Sequence, residues 1–142
     1  MIWKTDSEEE AAVEVLEQLV KIDRDDFPTR MKLATYYSSL ENWEKVVECA
    51  WDAPFIYPYE SETHRLLGRA YFETKAYKLA KREYEVLLAG ESPPVREVFP
   101  RLAYCHWQLG ELDDARKYAE RAKTMSPDDP LLREVLEALD AR

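Results

Sequence analysis

Apolar residues recur along the whole chain at intervals of three and four positions, the spacing that gives a helix one buried face. Near the N-terminus this stripe consists of Ala12, Leu16, Leu19 and Val20. Ser7 and Glu10 precede this stripe at the spacing of a capping box, so we expect the first helix to start at Ser7. The alternation of apolar and polar residues that is typical of a strand fits the sequence less well than the helical spacing throughout. The pattern predicts an all-α chain of about eight helices.

Proline, asparagine and glycine mark the ends of these helices. Pro28 can open the second helix because its missing N–H has no intrahelical partner there, and Asn42 is placed to cap the third. Pro54 and Pro58 then end that helix, since neither can donate to a continuing ladder. Similar signals delimit the later helices at Ser61, Gly90, Gly110, Pro127 and Pro130.

Two features depart from this regular pattern. Residues 54–59 place four large apolar side chains in a connection, and we expect them to fold back beneath the next helix. Pro100 falls where a helix starting near Pro93 should have its interior, which predicts a kink or a late start because proline removes one ladder bond.

The helices form a repeat of 34 to 35 residues. Sliding the chain along itself superposes Leu33–Ala34 on Leu67–Gly68 and then on Leu102–Ala103. Further aligned columns are Tyr37, Tyr71 and His106; Trp43, Tyr77 and Leu112; Val46, Ala80 and Ala115; and Ala50, Tyr84 and Ala119. Small residues in these columns let paired helices approach closely, and the aromatic residues fill the remaining space.

With these columns the chain resembles the tetratricopeptide repeat family, whose helix-turn-helix unit has about 34 residues. Leu67–Gly68, Tyr71, Tyr77, Ala80 and Tyr84 carry the best match. The resemblance implies a right-handed α-α superhelix in a single domain. Its predicted parts are a half-repeat helix at 1–26, repeats at 27–60, 61–95 and 96–129, and a capping helix at 130–142.

The resemblance also implies where a partner would bind, because the first helix of each repeat lines the concave surface in this family. It nominates Arg65, Arg69, Phe72, Arg101, Tyr104 and Trp107 as peptide-binding residues, with Met31, Thr35 and Ser38 from the first repeat. Arg65 and Arg69 share one helix face, where two guanidinium groups could hold a carboxylate or phosphate. Ordinary ion pairs with Glu62 and Glu73 explain them equally well.

The partner chemistry is constrained by charge. The chain has 20 basic and 29 acidic residues, a net charge of −9 that would repel nucleic acid. The family's two-carboxylate clamp for chaperone tails is not expected, because Met31 and Thr35 stand in the first repeat. Residues 64–82 are locally basic, and we expect Lys75, Lys78, Lys81 and Arg82 to stand on the outer helix. A protein or peptide partner with an acidic segment fits this distribution.

The sequence offers no motif for other chemistry. The three glycines are too far apart for a phosphate-cradling loop, and no apolar run approaches the ~20 residues of a membrane span. Cys49 and Cys105 belong to no paired motif, which favours buried thiols in the cytoplasm. His64 and His106 are expected to pack rather than to catalyse. We therefore expect no cofactor, metal or catalytic site.

Several functions remain open at this point. The favoured hypothesis is a non-enzymatic scaffold that binds a peptide or protein segment in its groove. In the alternative, the chain is an accessory module of a larger, enzyme-bearing protein, and its first helix docks a neighbouring domain or a second copy as a homodimer. An enzyme using His106 is the weakest hypothesis.

Overall fold

The computed structural model describes residues 2–141, with side chains from residue 7 onwards. Nine α-helices and no strands are present in this part of the chain. They are α1 (Ile2–Ile22), α2 (Phe27–Ser39), α3 (Trp43–Ala50), α4 (Ala53–Ile56), α5 (Ser61–Glu73), α6 (Tyr77–Ala89), α7 (Val95–Gln108), α8 (Leu112–Met125) and α9 (Pro130–Asp140). Eight helices were predicted, and the additional one is the four-residue α4.

The helices pair as consecutive hairpins and stack in order. α2 packs on α3, α5 on α6 and α7 on α8, while α3 contacts α5 and α6 contacts α7 to join successive hairpins. α1 covers α2 at one end, and α9 packs on α7 and α8 at the other. This is the predicted all-α right-handed solenoid.

Each hairpin turn contains one residue with a left-handed backbone conformation, at the equivalent position of the repeat. Glu41, Lys75 and Gly110 have φ values of 56°, 65° and 77°, and they lie 34 and 35 positions apart. In each case the next backbone N–H donates to the carbonyl five residues back, at 2.8 to 2.9 Å, as in a Schellman motif. Two of the three turns therefore hold a residue other than glycine in a conformation that favours glycine.

The core is built from small residues facing large ones. The Tyr84 ring is fully buried and lies across Gly68, where an added Cβ would stand 3.1 Å from Tyr84 Cε1. Ala34 and Ala103, which align with Gly68, are also fully buried. The close approach of α5 to α6 thus depends on the missing side chain at Gly68.

The structure contradicts the expected start of the first helix and one of the two outcomes expected at Pro100. Ser7 and Glu10 lie inside α1, which already begins at Ile2, so Ser7 cannot act as an N-cap with non-helical backbone. Pro100 lies inside α7, which starts at Val95, so a late start is excluded. Proline costs this helix one ladder donor, and the buried Pro100 ring packs in the core instead.

The connection at 54–59 does not fold back onto the stack. Phe55 is 80% exposed and Tyr59 is 97% exposed, while Tyr57 touches Phe27 edge-on with ring centroids 5.9 Å apart. The reason is local: Pro54 opens the short α4, and Ala53 is the buried member of that helix. The larger side chains of the segment consequently project outward.

Candidate functional site

The predicted binding residues lie on the first helices of the second and third hairpins. Arg65, Arg69 and Phe72 belong to α5, and Arg101, Tyr104 and Trp107 belong to α7. Side chains bridge the gap between these two helices. We refer to the six residues together as the α5–α7 surface.

Arg65 connects the two helices through an ion pair. Its Nε donates to Glu97 Oε2 on α7 at 2.7 Å, and its Nη1 lies 3.9 Å from Glu62 Oε2. The Arg65 side chain is half exposed, so this pair contributes modestly to stability. Glu62 was an expected partner, whereas Glu97 comes from the next hairpin and was not foreseen.

Arg69 is paired separately and does not share a ligand position with Arg65. Its Nε donates to Glu73 Oε1 at 2.8 Å, and its guanidinium carbon lies 5.2 Å from the ring centroid of Trp43. The two guanidinium groups are thus held by different carboxylates of the chain itself. The ion-pair hypothesis for these arginines accounts for both.

Aromatic rings form a continuous cluster beside the arginines. Phe72 packs on Tyr77 and on Tyr104, with centroids 5.8 and 5.2 Å apart, and Tyr104 meets Trp107 edge-on at 5.2 Å. Phe72, which was nominated as a peptide-binding residue, is only 7% exposed, so its ring offers little surface to a partner. Its ring is covered by Tyr77 and Tyr104, and the half-buried Tyr104 and Trp107 present the accessible aromatic surface.

Arg101 has donors that the chain leaves unused. Its guanidinium carbon lies 5.7 Å from the Phe72 ring centroid, and its Nη1 donates to the Glu97 carbonyl at 3.3 Å. The Arg101 Nε and the Tyr84 hydroxyl are both buried, and within the described residues neither has a hydrogen-bond partner. Burial raises the pKa of Tyr84, while the positive charge of nearby Arg101 lowers it.

An open depression of about 470 Å³ lies beside Arg101. Its lining residues are Arg69, Phe72, Glu73, Lys75, Tyr77, Arg101, Tyr104, Asp129, Pro130 and Leu131. Four of the six predicted site residues are therefore brought together. Arg65 lies outside this lining, and Trp107 reaches it through its contact with Tyr104.

Two parts of the lining, the turn after α5 and the start of α9, were not predicted from the sequence to lie at the site. Lys75 was expected on the outer helix, but it lies in the turn between α5 and α6 because Schellman geometry ends α5 there. Asp129 and Pro130 enter through the start of α9, where the Asp129 carboxylate accepts from Leu131 N and Leu132 N at 2.9 and 3.2 Å. The Asp129-Pro130 helix start was foreseen, but its position opposite α5 follows only from the stacking.

The electrostatics of the depression favour an anionic group. Arg69, Lys75 and Arg101 face Glu73 and Asp129 across it. Glu73 is paired with Arg69 and Asp129 caps α9. In the described part of the chain, Lys75 and Arg101 have no carboxylate partner within ion-pair distance.

Tyr104 remains a neutral hydrogen-bonding group at this surface. Burial, together with nearby Tyr77 and Glu134, raises the pKa of its phenol to about 12. It therefore retains its proton over the physiological range and can donate to an acceptor.

Both histidines are tied into the fold. His64 Nδ1 lies 2.5 Å from Glu83 Oε2 and its Nε2 lies 2.7 Å from the Pro58 carbonyl oxygen. His106 Nδ1 lies 3.1 Å from Glu111 Oε1, and its ring stacks on Tyr118 at 5.4 Å. Both side chains are buried, which agrees with the packing role predicted for them.

The thiol of Cys105, the residue before His106, is buried. Burial raises the pKa of Cys105 to about 12, so its thiolate is scarce near neutral pH. Among the described residues, no three His, Cys, Asp or Glu side chains are grouped to hold a metal ion. Likewise, none of the helices described combines the length and the apolar character that crossing a bilayer requires.

The fold and its recurring small and aromatic residues define a helical-repeat protein. Residues 96–139 match the family model described as tetratricopeptide repeat, a range that covers nearly all of α7, α8 and α9. Over these residues the chain is similar to the tetratricopeptide repeat family, and the fold of the described chain as a whole is of the same kind.

Solved structures share the fold over most of the chain. A crystal structure of MamA superposes with a TM-score of 0.74 at 18% identity, and the alignment covers 96% of this chain and 79% of that one. A second structure, MamA AMB-1, gives a TM-score of 0.75 at 17% identity over 89% and 68% of the two chains. These TM-scores establish a common fold. No curated protein sequence matches this chain.

Proposed function

We propose that the protein is a non-enzymatic interaction scaffold that binds an acidic protein or peptide segment at the α5–α7 surface. The unpaired cations of the depression carry this proposal. Lys75 and Arg101 line it, and among the described residues no carboxylate lies within ion-pair distance of either, so both can donate to the oxygen acceptors of an incoming ligand. A carboxylate supplies such acceptors with the matching charge.

The remaining residues of the surface have complementary roles in this proposal. Lys75 and Arg101 attract the acidic group, while Tyr104 and Trp107 provide apolar area beside it. Arg69 can exchange Glu73 for a ligand carboxylate, since a half-exposed intrahelical pair is weak. Arg65 contributes longer-range attraction, and Phe72 supports Tyr104 from beneath.

We test this proposal with acidic peptides as probes, using fluorescence polarisation. One library consists of Asp- and Glu-rich peptides that each contain one aromatic residue. It is compared with a second library in which every Asp and Glu is replaced by Lys. The binding variant is Arg101→Gln with Lys75→Gln, and the matched control is Arg116→Gln with Lys117→Gln on exposed positions of α8. We expect the binding variant to weaken the best acidic peptide at least tenfold, and the control to change its Kd less than twofold.

The opposite results would remove the acidic-segment proposal. They are equal affinity for the Lys library, or equal losses in the two double variants. Trp107→Ala then identifies physiological partners: proteins captured by the wild type and lost by this variant are those that use the surface.

The domain organisation that we propose follows the hairpins. The half-repeat helix spans 1–26, three repeats span 27–60, 61–95 and 96–129, and the capping helix spans 130–142. The turn residues Glu41, Lys75 and Gly110 support this division because they recur at the repeat interval. We further propose a cytoplasmic location, which fits two thiols that are unpaired in the structure.

An accessory role in a larger protein is the second candidate, and α1 favours it. Val13, Leu16 and Val20 pack against the core, whereas Val15, Leu19 and Ile22 form a second, exposed apolar stripe on the same helix. An uncovered stripe of this kind suits a neighbouring domain or a second copy. Val15→Ser with Leu19→Ser would weaken such docking without touching the α5–α7 surface.

A further inference from the structure

A second exposed apolar surface lies at the connection between the first two full hairpins. We call it the edge patch, and it consists of Trp51, Phe55, Ile56, Tyr57 and Tyr59. All five side chains are exposed, and all come from one segment of nine residues. The patch is separate from the α5–α7 surface, because none of its residues lines that depression.

The edge patch is held in place from below. Arg30 is buried, and its Nε and Nη1 donate to the carbonyls of Cys49 and Arg24 at 3.0 and 3.1 Å. Its Nη2 bonds the carboxylate of Asp52, next to Trp51. At the other end of the segment, His64 Nε2 lies 2.7 Å from the Pro58 carbonyl oxygen. The backbone of the segment is thus anchored at both ends, which lowers the entropic cost of ordering it at an interface.

The size of the patch is suited to a weak but specific dimer. Aromatic side chains bury 150–250 Å² each when fully covered, so with their fractional exposures the five residues offer roughly 600 Å². This is at the upper end for a single patch on a monomer. Two patches face to face would bury about 1,200 Å², the lower limit for stable specific interfaces.

The rim of the patch is compatible with self-association. Asp23, Arg24 and Asp25 form the turn before Phe27, whose ring touches Tyr57, and Glu60 follows Tyr59. This rim carries both signs and a small net negative charge. A twofold axis lets Arg24 of one copy meet a rim carboxylate of the other, which offsets part of the repulsion between two rims of the same net charge.

We propose that two copies of this chain associate through their edge patches about a twofold axis. The contact is centred on Phe55 and Tyr59, and tyrosine, tryptophan and phenylalanine are the side chains enriched in such interfaces. The inference is independent of the ligand at the α5–α7 surface.

Sedimentation velocity of the full chain between about 5 and 200 μM tests the proposal, a range that detects weak association through a contact near the lower size limit of specific interfaces. The disrupting variant is Phe55→Ser with Tyr59→Ser. Both native side chains are almost fully exposed to solvent, so we expect the fold to be preserved. The matched control, Leu79→Ser with Val86→Ser, removes two exposed apolar side chains from α6. Circular dichroism melting verifies that each variant is folded.

We expect the wild type to reach a monomer–dimer equilibrium in this range. The edge-patch variant should raise the dimer Kd at least tenfold, and the α6 control should change it less than twofold. Raising NaCl from about 0.1 to 0.5 M should tighten the dimer, because the rims carry net charge of one sign that salt screens.

Other results would overturn the inference. These are a strictly monomeric wild type at 200 μM, association that survives in the edge-patch variant, or association beyond the dimer. Loss of the dimer in the Val15→Ser, Leu19→Ser variant alone would assign the contact to α1, and dissociation by salt would assign it to ionic binding at the α5–α7 surface.

Discussion

Tyr84 fills the space that Gly68 leaves open, with its Cζ 3.2 Å from the position of an added Cβ. This contact sets how closely α5 approaches α6 and thereby positions the helix that carries Arg65, Arg69 and Phe72. The binding surface consequently depends on a packing relationship in the core beneath it.

Replacing Gly68 tests this relationship. We expect Gly68→Leu to lower the free energy of unfolding by ~1–3 kcal/mol, because the buried Tyr84 ring leaves no space for the added atoms. Gly68→Ala should be much milder, since alanine adds one atom and gains about 1 kcal/mol of helix propensity. Urea unfolding measures both, and equal stabilities for Leu and Gly at this position would contradict the packing.

The two left-handed turns without glycine offer a stabilisation. We expect Glu41→Gly and Lys75→Gly each to raise the free energy of unfolding by up to ~1 kcal/mol, because φ values of 56° and 65° strain residues that carry a Cβ. Glu44→Gly within α3 is the control and should cost about 1 kcal/mol. Chemical denaturation compares the three variants, and a loss at all three positions would refute the strain.

The buried Arg30 joins three segments, so its loss should be expensive. We expect Arg30→Leu to cost about 2 kcal/mol or more, because two backbone carbonyls and the Asp52 carboxylate lose their charged donor. Thermal unfolding gives the magnitude. Arg116→Leu at an exposed position of α8 serves as the control and should be nearly neutral.

Glu111 predicts a specific acid sensitivity. Hydrogen bonding to Lys81 lowers the pKa of Glu111, and His106 lowers it further. Since the folded-state pKa is depressed, this stabilisation is present above the unfolded value near 4.5 and is lost as the pH falls through the folded-state pKa.

Urea midpoints between pH 7 and pH 3 measure this effect. We expect Glu111→Gln to be less stable than the wild type at neutral pH, and the difference to shrink below pH 4.5 as the wild-type carboxylate takes up its proton. Glu120→Gln, on an exposed part of α8, should follow the wild-type pH profile. A Glu111→Gln difference that stays constant with pH would rule out the ionic contribution.

Several parts of the candidate site were accessible from the sequence. The repeat interval placed Arg69, Phe72, Arg101 and Tyr104 on equivalent helices, and the structure gathers them around one depression. The buried state of Phe72 was missed because helical spacing does not reveal that Tyr77 and Tyr104 cover its ring.

Periodicity alone determined the class of fold, because small and large residues at a constant interval specify how each helix meets its neighbour. The all-α solenoid, the helix order and the packing of both histidines follow from it. Tertiary structure decided the contacts between hairpins: the Arg65–Glu97 pair, the unused donors of Tyr84 and Arg101, and the outward projection of Phe55 and Tyr59. Such contacts join residues whose separation depends on the angle between stacked hairpins, which no local pattern encodes.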